Sequence, residues 1–450
     1  MKNQNISPVH RTGILITLLA AAFMTAMSTT VTGNMIPNFI QYFGVSSNLA
    51  QWLTSGATLI SGIMIPITAF LIKRTANKKY FLSAMTAFAA GSLGAFLAPS
   101  FLILLISRLV QAVGCGMMLS FAQIILLDIY PKEKHGTVMA GYSMAATLSS
   151  IVGPTYAGLI MDAFSWRGVF ASLFVIAVIL IICGIIFMKN VTSKEQADLN
   201  LLYVTLSSLG FASFLIGVSN ISSGSILHIK SGGLMIAGIV FLISFCVLQM
   251  KSDKPMLNLR VFKYPSFRIA VLLSLCMYLI CMGNAMILPI FTKSICGYSD
   301  TAYGLATIVG SVLSAAAALC AGKIFDRTGA MPMFIGGIVL FAVFAVMGLF
   351  FNENTGIVYI AAVFAFQSIA MSMMNSPATT MALSNLSGRE RIDGSAIFNT
   401  LRQISSSLSS TTSVLIYSLI SINNSNMSAV HGVYIYFGIV TLAVIVLVFM

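Results

Sequence analysis

One ionisable side chain in this sequence stands deep inside a long apolar stretch. It is Arg108, in Ser107-Arg108-Leu109-Val110-Gln111-Ala112-Val113-Gly114. A guanidinium beyond the reach of water must face protein or a polar cavity, because exposure to lipid is costly; an intramembrane charge is therefore a functional position by default. Gln111 lies one helical turn on, within reach of Arg108. No Asp or Glu occupies a comparable depth. Polar groups able to share a cavity with Arg108 are scattered over other apolar stretches: Ser28, Thr32, Asn34, Gln123, Tyr142, Tyr156, Asn284, Gln367 and Asn375. Ser28 and Thr32 share a helical face, where their hydroxyls either line a cavity or bond back to local carbonyls. Asp128 ends the stretch that carries Arg108 and is the carboxylate nearest such a path. Met24, Met27, Met282, Met286, Met371, Met373 and Met374 would supply an adaptable apolar surface. This set suits binding and release of a small molecule. It does not suit catalysis, since no nucleophile–base pair or metal-ligand spacing is recognisable, and no cofactor is expected.

The elements that must hold these residues follow from composition. The chain is 58% hydrophobic and 8% charged, against roughly 25% charged for a soluble domain, so it cannot clothe a water-soluble surface. Backbone groups in lipid must be satisfied internally, which leaves helices, because a β-barrel would need shorter, alternating segments. The reading is an all-α polytopic protein with fourteen spans. They lie near 13–33, 49–72, 80–98, 101–127, 137–161, 168–188, 200–219, 231–250, 270–291, 301–322, 332–350, 357–383, 395–419 and 431–449. The first is not a signal peptide, lacking a clear cleavage pattern. Twenty Lys and Arg fall on one side of these spans, counting Arg402 with the loops, and Arg167, Lys230 and Lys293 fall on the other. That bias places both termini in the cytoplasm. It also assigns the net charge of +13 to headgroup attraction, making membrane lipids the partner and excluding nucleic acid. Six of the seven cysteines lie inside spans, which argues against a disulfide framework.

The chain carries an internal repeat. Lys73-Arg74-Thr75-Ala76 follows the second span and Asp326-Arg327-Thr328-Gly329 the tenth, 253 residues later. The spacing fits a six-helix bundle at 1–198, an inserted helix pair at 199–250 and a second six-helix bundle at 251–450, a common transporter plan. In the second copy Asp326 and Arg327 could pair with each other or cap a neighbouring helix end, and Gly329 permits a tight turn. Such a latch would hold one conformation of a rocking bundle. In the fifth span Gly153, Pro154 and Gly158 combine small residues with a kink, a pliable seam between helices. Gly304 and Gly310 of the tenth span could pack similarly. Asp162 and Arg167 could pair across the turn that closes the fifth span.

Taken together, these segments resemble the major facilitator superfamily, specifically its fourteen-helix drug:proton antiporter family. The carriers are Gln51-Trp52, Ser107-Arg108 through Gly114, Pro131-Lys132-Glu133-Lys134, Gly153-Pro154 with Gly158, Ser165-Trp166-Arg167, Phe398-Asn399-Thr400-Leu401-Arg402-Gln403, and Gly322 through Gly329. The resemblance implies alternating access by two helical bundles and export of lipophilic compounds, often cations, in exchange for protons. It places Arg108 at the family's fourth-helix arginine and Gly153-Pro154 in its antiporter motif. This chain departs from the pattern. Ser28 stands where relatives carry a first-helix aspartate, Lys73 and Ala76 stand where the first loop motif has aspartate and glycine, and His135 replaces an arginine. Ser28 cannot carry a proton, which leaves Asp128, His135 and His431 as titratable choices and disfavours a strongly cationic substrate. The expectation is a monomeric exporter of lipophilic or amphipathic small molecules in a bacterial inner membrane, with or without protons as coupling ion. The alternative is a dedicated metabolite or organic-anion transporter, a facilitator without proton coupling.

Overall fold

The computed structural model describes residues 8–190, 201–221, 232–252, 255–422 and 425–449. The proposed boundary at 198/199 lies outside them. The described chain is helical throughout its apolar stretches, as the demand for internal backbone hydrogen bonds requires. In order, the helices are α1 (Pro8–Asn34), α2 (Ile36–Phe43), α3 (Ser47–Arg74), α4 (Asn77–Phe96), α5 (Phe101–Ile129), α6 (His135–Phe187), α7 (Leu201–Ile221), α8 (Leu234–Lys251), α9 (Pro265–Pro289), α10 (Asp300–Thr328), α11 (Met331–Gly348), α12 (Ile357–Ser384), α13 (Arg389–Ser421) and α14 (Asn426–Phe449). Helix α6 is two limbs joined at Ser165, whose φ of 63° breaks the helical path. Short α2 turns the chain between α1 and α3.

Ten helices among the described residues are long and apolar enough to cross a membrane. Helices α4 and α13 are not, and the described residues of α7 give a shorter apolar stretch, Leu202–Val218. In α13 composition explains it: Ser405, Ser406, Ser407, Ser409, Ser410, Thr411, Thr412 and Ser413 lie in nine residues. Three of those hydroxyls tie α13 to other helices: Ser405 Oγ donates to Leu275 O on α9 at 2.7 Å, Ser409 Oγ donates to Leu279 O, and Thr411 Oγ1 donates to Val218 O on α7 at 3.2 Å, whereas Ser413 Oγ is buried without a partner. A helix held by hydroxyl-to-carbonyl bonds needs little lipid-facing apolar surface.

Apolar side chains divide into separate cores. The first is built from α1, α3–α6 and includes Phe88, Phe121 and Phe170; at one end it reaches Phe267, Leu383 and Phe398 of the later helices. The second, with Phe291, Phe341, Phe344, Tyr434 and Phe437, draws on α9–α14. A small third core joins Phe211, Phe214, Leu215 and Val218 of α7 to Leu59 and Ile63 of α3, Leu242 of α8 and Leu408 of α13. Early and later helices therefore share buried surface at the end that carries the basic loops, hereafter the basic end.

There α6 and α10 touch through backbone. A Cβ on Gly136 would lie 2.5 Å from Asp326 Oδ1, 2.6 Å from Phe325 and 2.8 Å from Gly322 O, and one on Gly322 would lie 2.6 Å from Gly136 O. Asp326 caps the start of α6, accepting from Gly136 N at 2.8 Å, Thr137 N at 2.8 Å and Thr137 Oγ1 at 2.5 Å. A carboxylate there meets both unpaired N–H groups and the positive end of the helix dipole. Gly329, at φ +82°, ends α10 in a conformation other residues resist. Arg74 and Arg327 are exposed, so the acid rather than the arginine makes this latch.

A methyl group in this crossing should open it. Overpacking costs about 1–3 kcal/mol, so Gly322→Ala should shift the balance at least about five-fold away from the closed basic end. A cysteine introduced at buried Ser395, in a background without native cysteines, should then alkylate faster in detergent solution. Unchanged labelling would mean that this contact does not hold the end shut.

Candidate functional site

Near mid-depth the helices enclose a cavity of about 220 Å³, lined by Thr25, Ser28 and Thr29 of α1, Thr58 and Ser61 of α3, Arg108, Cys115 and Met118 of α5, Tyr142 of α6 and Gln403 of α13, among others. Arg108 is only 2% exposed. It donates through Nη1 to Gln111 Oε1, and Gln111 Nε2 donates onward to Ser92 Oγ at 2.7 Å. The i to i+3 spacing on α5 sets the first bond and α4 anchors the second. Arg108 Nε is buried and has no partner. Ser28 Oγ lies 3.9 Å from Cys115 Sγ.

Other expected site residues fall elsewhere. Thr32 donates to Ser28 O at 2.8 Å, a local back-bond rather than a cavity contact. Tyr142 lines the cavity and donates to Leu119 O at 3.2 Å. Tyr156 is spent on Ser172 Oγ. Asn284, Gln367 and Tyr434 form their own buried network: Asn284 Nδ2 donates to Gln367 Oε1 at 2.5 Å and Tyr434 OH to Asn284 Oδ1 at 2.8 Å. Asn375 Oδ1 is buried without a partner and does not line the cavity. The side chains of Asn34, Pro154 and Asp162 lie outside the described residues. Gly153 sits against Thr30 Oγ1 of α1, as a close seam requires, whereas a Cβ on Gly158 or Gly304 would meet nothing within 4 Å, so those two glycines do not serve close packing. Met24, Met27 and Met374 are core and Met286 is exposed; the cavity takes Met118 instead.

Below the cavity, toward the basic end, α5 and α13 meet in two polar layers. In the first, Asn399 Nδ2 donates to Gln123 Oε1 at 2.9 Å and Ser120 Oγ at 3.2 Å, and Ser395 Oγ donates to Gln123 Oε1 at 3.2 Å. In the second, Arg391 pairs with Asp128, and Lys73 Nζ pairs with Asp393 Oδ1 at 2.5 Å while donating to Met256 O at 3.3 Å. Lys73 and Asp393 are 7% and 1% exposed. Gln123 and Asp128 thus belong to a seal and not to the cavity wall. Sequence reasoning missed Asp393 and Arg391 because nothing local marks them: Lys73 and Asp393 are 320 residues apart.

Arg402 is a correction. It stands inside α13 and not in a loop, 13 residues past Arg389, which is roughly 20 Å along the axis. Its guanidinium donates to Tyr278 OH and lies over the rings of Tyr278 at 4.5 Å and Phe398 at 5.4 Å. Arg108 is therefore not the one cation set within the helical bundle away from its ends. Arg167 donates to Ala98 O at 3.0 Å and Tyr42 OH at 3.1 Å and packs over Trp166; its expected partner Asp162 lies outside the described side chains.

The titratable groups outside the spans shift in opposite directions. Burial pushes the Asp393 carboxyl up to about 6, with Lys73 opposing. Burial pushes the His135 imidazole down, its Nε2 lying 3.1 Å from Tyr130 O. His431 Nε2 is 2.9 Å from Phe351 O at the far end of the bundle.

Comparison with known proteins fits this geometry. The sequence profile described as Major Facilitator Superfamily matches residues 18–283 and 270–450. The chain belongs to the Major Facilitator Superfamily. It is 33% identical to the uncharacterized MFS-type transporter YcnB of Bacillus subtilis (strain 168), over 89% of this chain and 85% of that protein. It is 30% identical to the lincomycin resistance protein LmrB of Listeria monocytogenes serovar 1/2a, over 92% of this chain and 88% of that protein. The human organic anion transporter MFSD10 (TETRAN) superposes with a TM-score of 0.68 at 13% identity, covering 98% of this chain and 100% of that one. At that identity the likeness is one of fold. The chain is a multi-pass membrane transporter of bacterial origin, not an enzyme.

The buried pair yields a prediction with a sign. Asp393→Asn fixes this side chain in its neutral form, the form that burial favours. Asp393 titrates near 6 when buried against 3.8 ordinarily. Its own contribution is thus fully present below about pH 4 and lost as pH rises through about 6. His135 runs the other way, losing stability as pH falls below its ordinary 6.5. The thermal midpoint of wild type minus that of Asp393→Asn should therefore grow as pH falls from about 7 to about 4; a flat difference would contradict the burial of this carboxyl.

Proposed function

We propose that this protein exports lipophilic or amphipathic small molecules by alternating access, and that it is a member of the fourteen-helix drug:proton antiporter branch. In this reading α1 and α3–α6 form one six-helix bundle, α9–α14 the other, and α7–α8 are the inserted pair. Both termini and the basic end lie in the cytoplasm, following the charge bias of the loops. The observation that carries the reading is the order of layers along α5: Arg108 and Cys115 at the cavity, Ser120 and Gln123 at the amide layer, Asp128 at the ion pair. A cavity between helices with a seal on its cytoplasmic side is the outward-facing member of an alternating pair. Its walls join five alanines, Met118 and Leu119 to six hydroxyl-bearing residues, and most of the surface they present is apolar, which suits an amphipathic cargo. The lincomycin resistance relatives support a drug-like cargo.

A second reading has a specific observation behind it. The cavity holds no carboxylate, and Asp128 is committed to Arg391. A transporter without a protonatable group at its substrate site can run as a facilitator, driven by the cargo's own gradient.

Purified protein in liposomes, tested on a panel of amphipathic compounds with and without an imposed pH gradient, separates the two. Flux that accelerates with an inward proton gradient supports antiport. Flux indifferent to pH supports facilitation. Failure of every compound to cross, with the protein folded, would sink export of such molecules.

A further inference from the structure

Resting on the transport reading above, we propose that the cavity is an anion site. It takes cargo with an apolar body and one carboxylate or sulfonate group, which pairs with Arg108.

The argument is a charge inventory. The chain has eleven Asp and Glu, and none lines the cavity. Asp128 and Asp393 are used by Arg391 and Lys73. Asp326 is used by the start of α6. Glu390 accepts from Tyr264 OH at 2.9 Å and sits 3.3 Å from Lys263 Nζ. Glu133 and Glu353 are exposed. Asp162, Glu195, Asp198, Asp253 and Asp300 fall at span ends or in connections by sequence. Among the described side chains Arg108 therefore has no carboxylate to meet. Its described side-chain partner is Gln111, a neutral amide.

An amide oxygen orients a guanidinium but does not cancel its charge. Taking an ion out of water costs several kcal/mol unless an opposite charge is brought with it. Arg108 stays at this depth, so the opposite charge must come from outside the protein. Its geometry suits the task. Nη1 is held by Gln111 and Nε has no partner. A guanidinium offers a planar pair of donors that a carboxylate or sulfonate can accept side by side. Gln111 is itself tied to Ser92, so the fork is fixed before the anion arrives.

Arg402 adds to the field. Its partners are also neutral, the hydroxyl of Tyr278 and two aromatic faces, and its neighbour Gln403 lines the cavity. The remaining wall sets the other half of the specificity. Ala22, Ala26, Ala57, Ala112 and Leu119 are apolar, and Thr25 spends its hydroxyl on Ala21 O at 2.9 Å. A hydrophobic body is favoured there, with its acid group directed to α5.

The test uses three matched probes: an arylalkyl carboxylate, its methyl ester and the corresponding primary amine. Binding is measured by calorimetry on the full-length protein in detergent, and flux in liposomes, each in chloride and in chloride-free buffer. The carboxylate should bind tightest, and Arg108→Gln should weaken it about ten-fold or more, the scale of a lost charge-assisted pair. The same change should collapse the carboxylate-to-ester ratio, with Arg108→Lys retaining part of it. Ser28→Asp, which puts a carboxylate into the same cavity, should abolish the preference and favour the amine. Equal binding of carboxylate and amine by the wild type would overturn the proposal while leaving transport of neutral amphiphiles intact. So would a site that binds chloride and ignores the organic acid, since the counter-ion would then be resident and not cargo. Carboxylate binding without flux of any probe would uphold the anion site and sink the transport reading instead.

Discussion

A charge removed from water must meet its opposite, and this molecule meets that requirement at one end only. At the basic end each buried cation has an acid drawn from the other set of helices: Lys73 of α3 with Asp393 of α13, and Arg391 of α13 with Asp128 of α5. At mid-depth Arg108 and Arg402 have neutral partners. The pairs at the end are conditional, because separating the two sets of helices breaks them and admits water to resolvate the ions. The cations in the middle meet no acid among the described side chains. The end pairs therefore act on the conformational balance, and the middle cations act on what enters the cavity.

The seal is built unequally. On the α6–α10 side a carboxylate meets a helix start and the glycines of both helices bring backbone to backbone. On the α3–α13 side a full cation meets a full anion in a buried setting. The first contact weakens gradually with distance and depends on steric fit. The second depends on both ionisation states, since removing either charge strands the other. Asp393 and His135 lie in the same region and respond to pH with opposite signs, so the summed response is flatter than either alone.

Local rules made much of this legible. Apolar runs gave the helices, Arg108 and Gln111 met through ordinary helical spacing, and the acid of the second loop copy found a helix end as its chemistry suggests. What escaped was long-range or compositional. No local pattern marks Asp393, whose partner lies on a helix 320 residues earlier. Arg402 was set among the loops, although it sits amid a helix so rich in serine that hydropathy understates its burial. Asn284 and Gln367 read as cavity groups, but they satisfy each other, because single polar residues carry no directional signal until the helix rotation is known. The methionines failed for the same reason: composition counts them, and only packing decides which one, here Met118, faces the void.

Helix α13 gathers these roles. Its first turns carry Arg391 and Asp393 of the seal, the next turns carry Ser395 and Asn399 of the amide layer, and then come Arg402 and Gln403 beside the cavity. Farther along, Ser405 and Ser409 bond to α9, and Thr411 bonds to α7. One rigid helix therefore touches the gate, the cavity and the α7–α8 pair. Side chains on it cannot move independently over so many fixed bonds, so a tilt that parts Asp393 from Lys73 also displaces Gln403 at the cavity wall. Its hydroxyl-rich face suits this, because short side chains bonded to neighbouring carbonyls can exchange partners with small changes in distance, where interlocked aromatic side chains would resist. In the fourteen-helix, alternating-access reading proposed above, the low hydropathy of α13 is the cost of a helix that slides against its neighbours while staying inside the membrane.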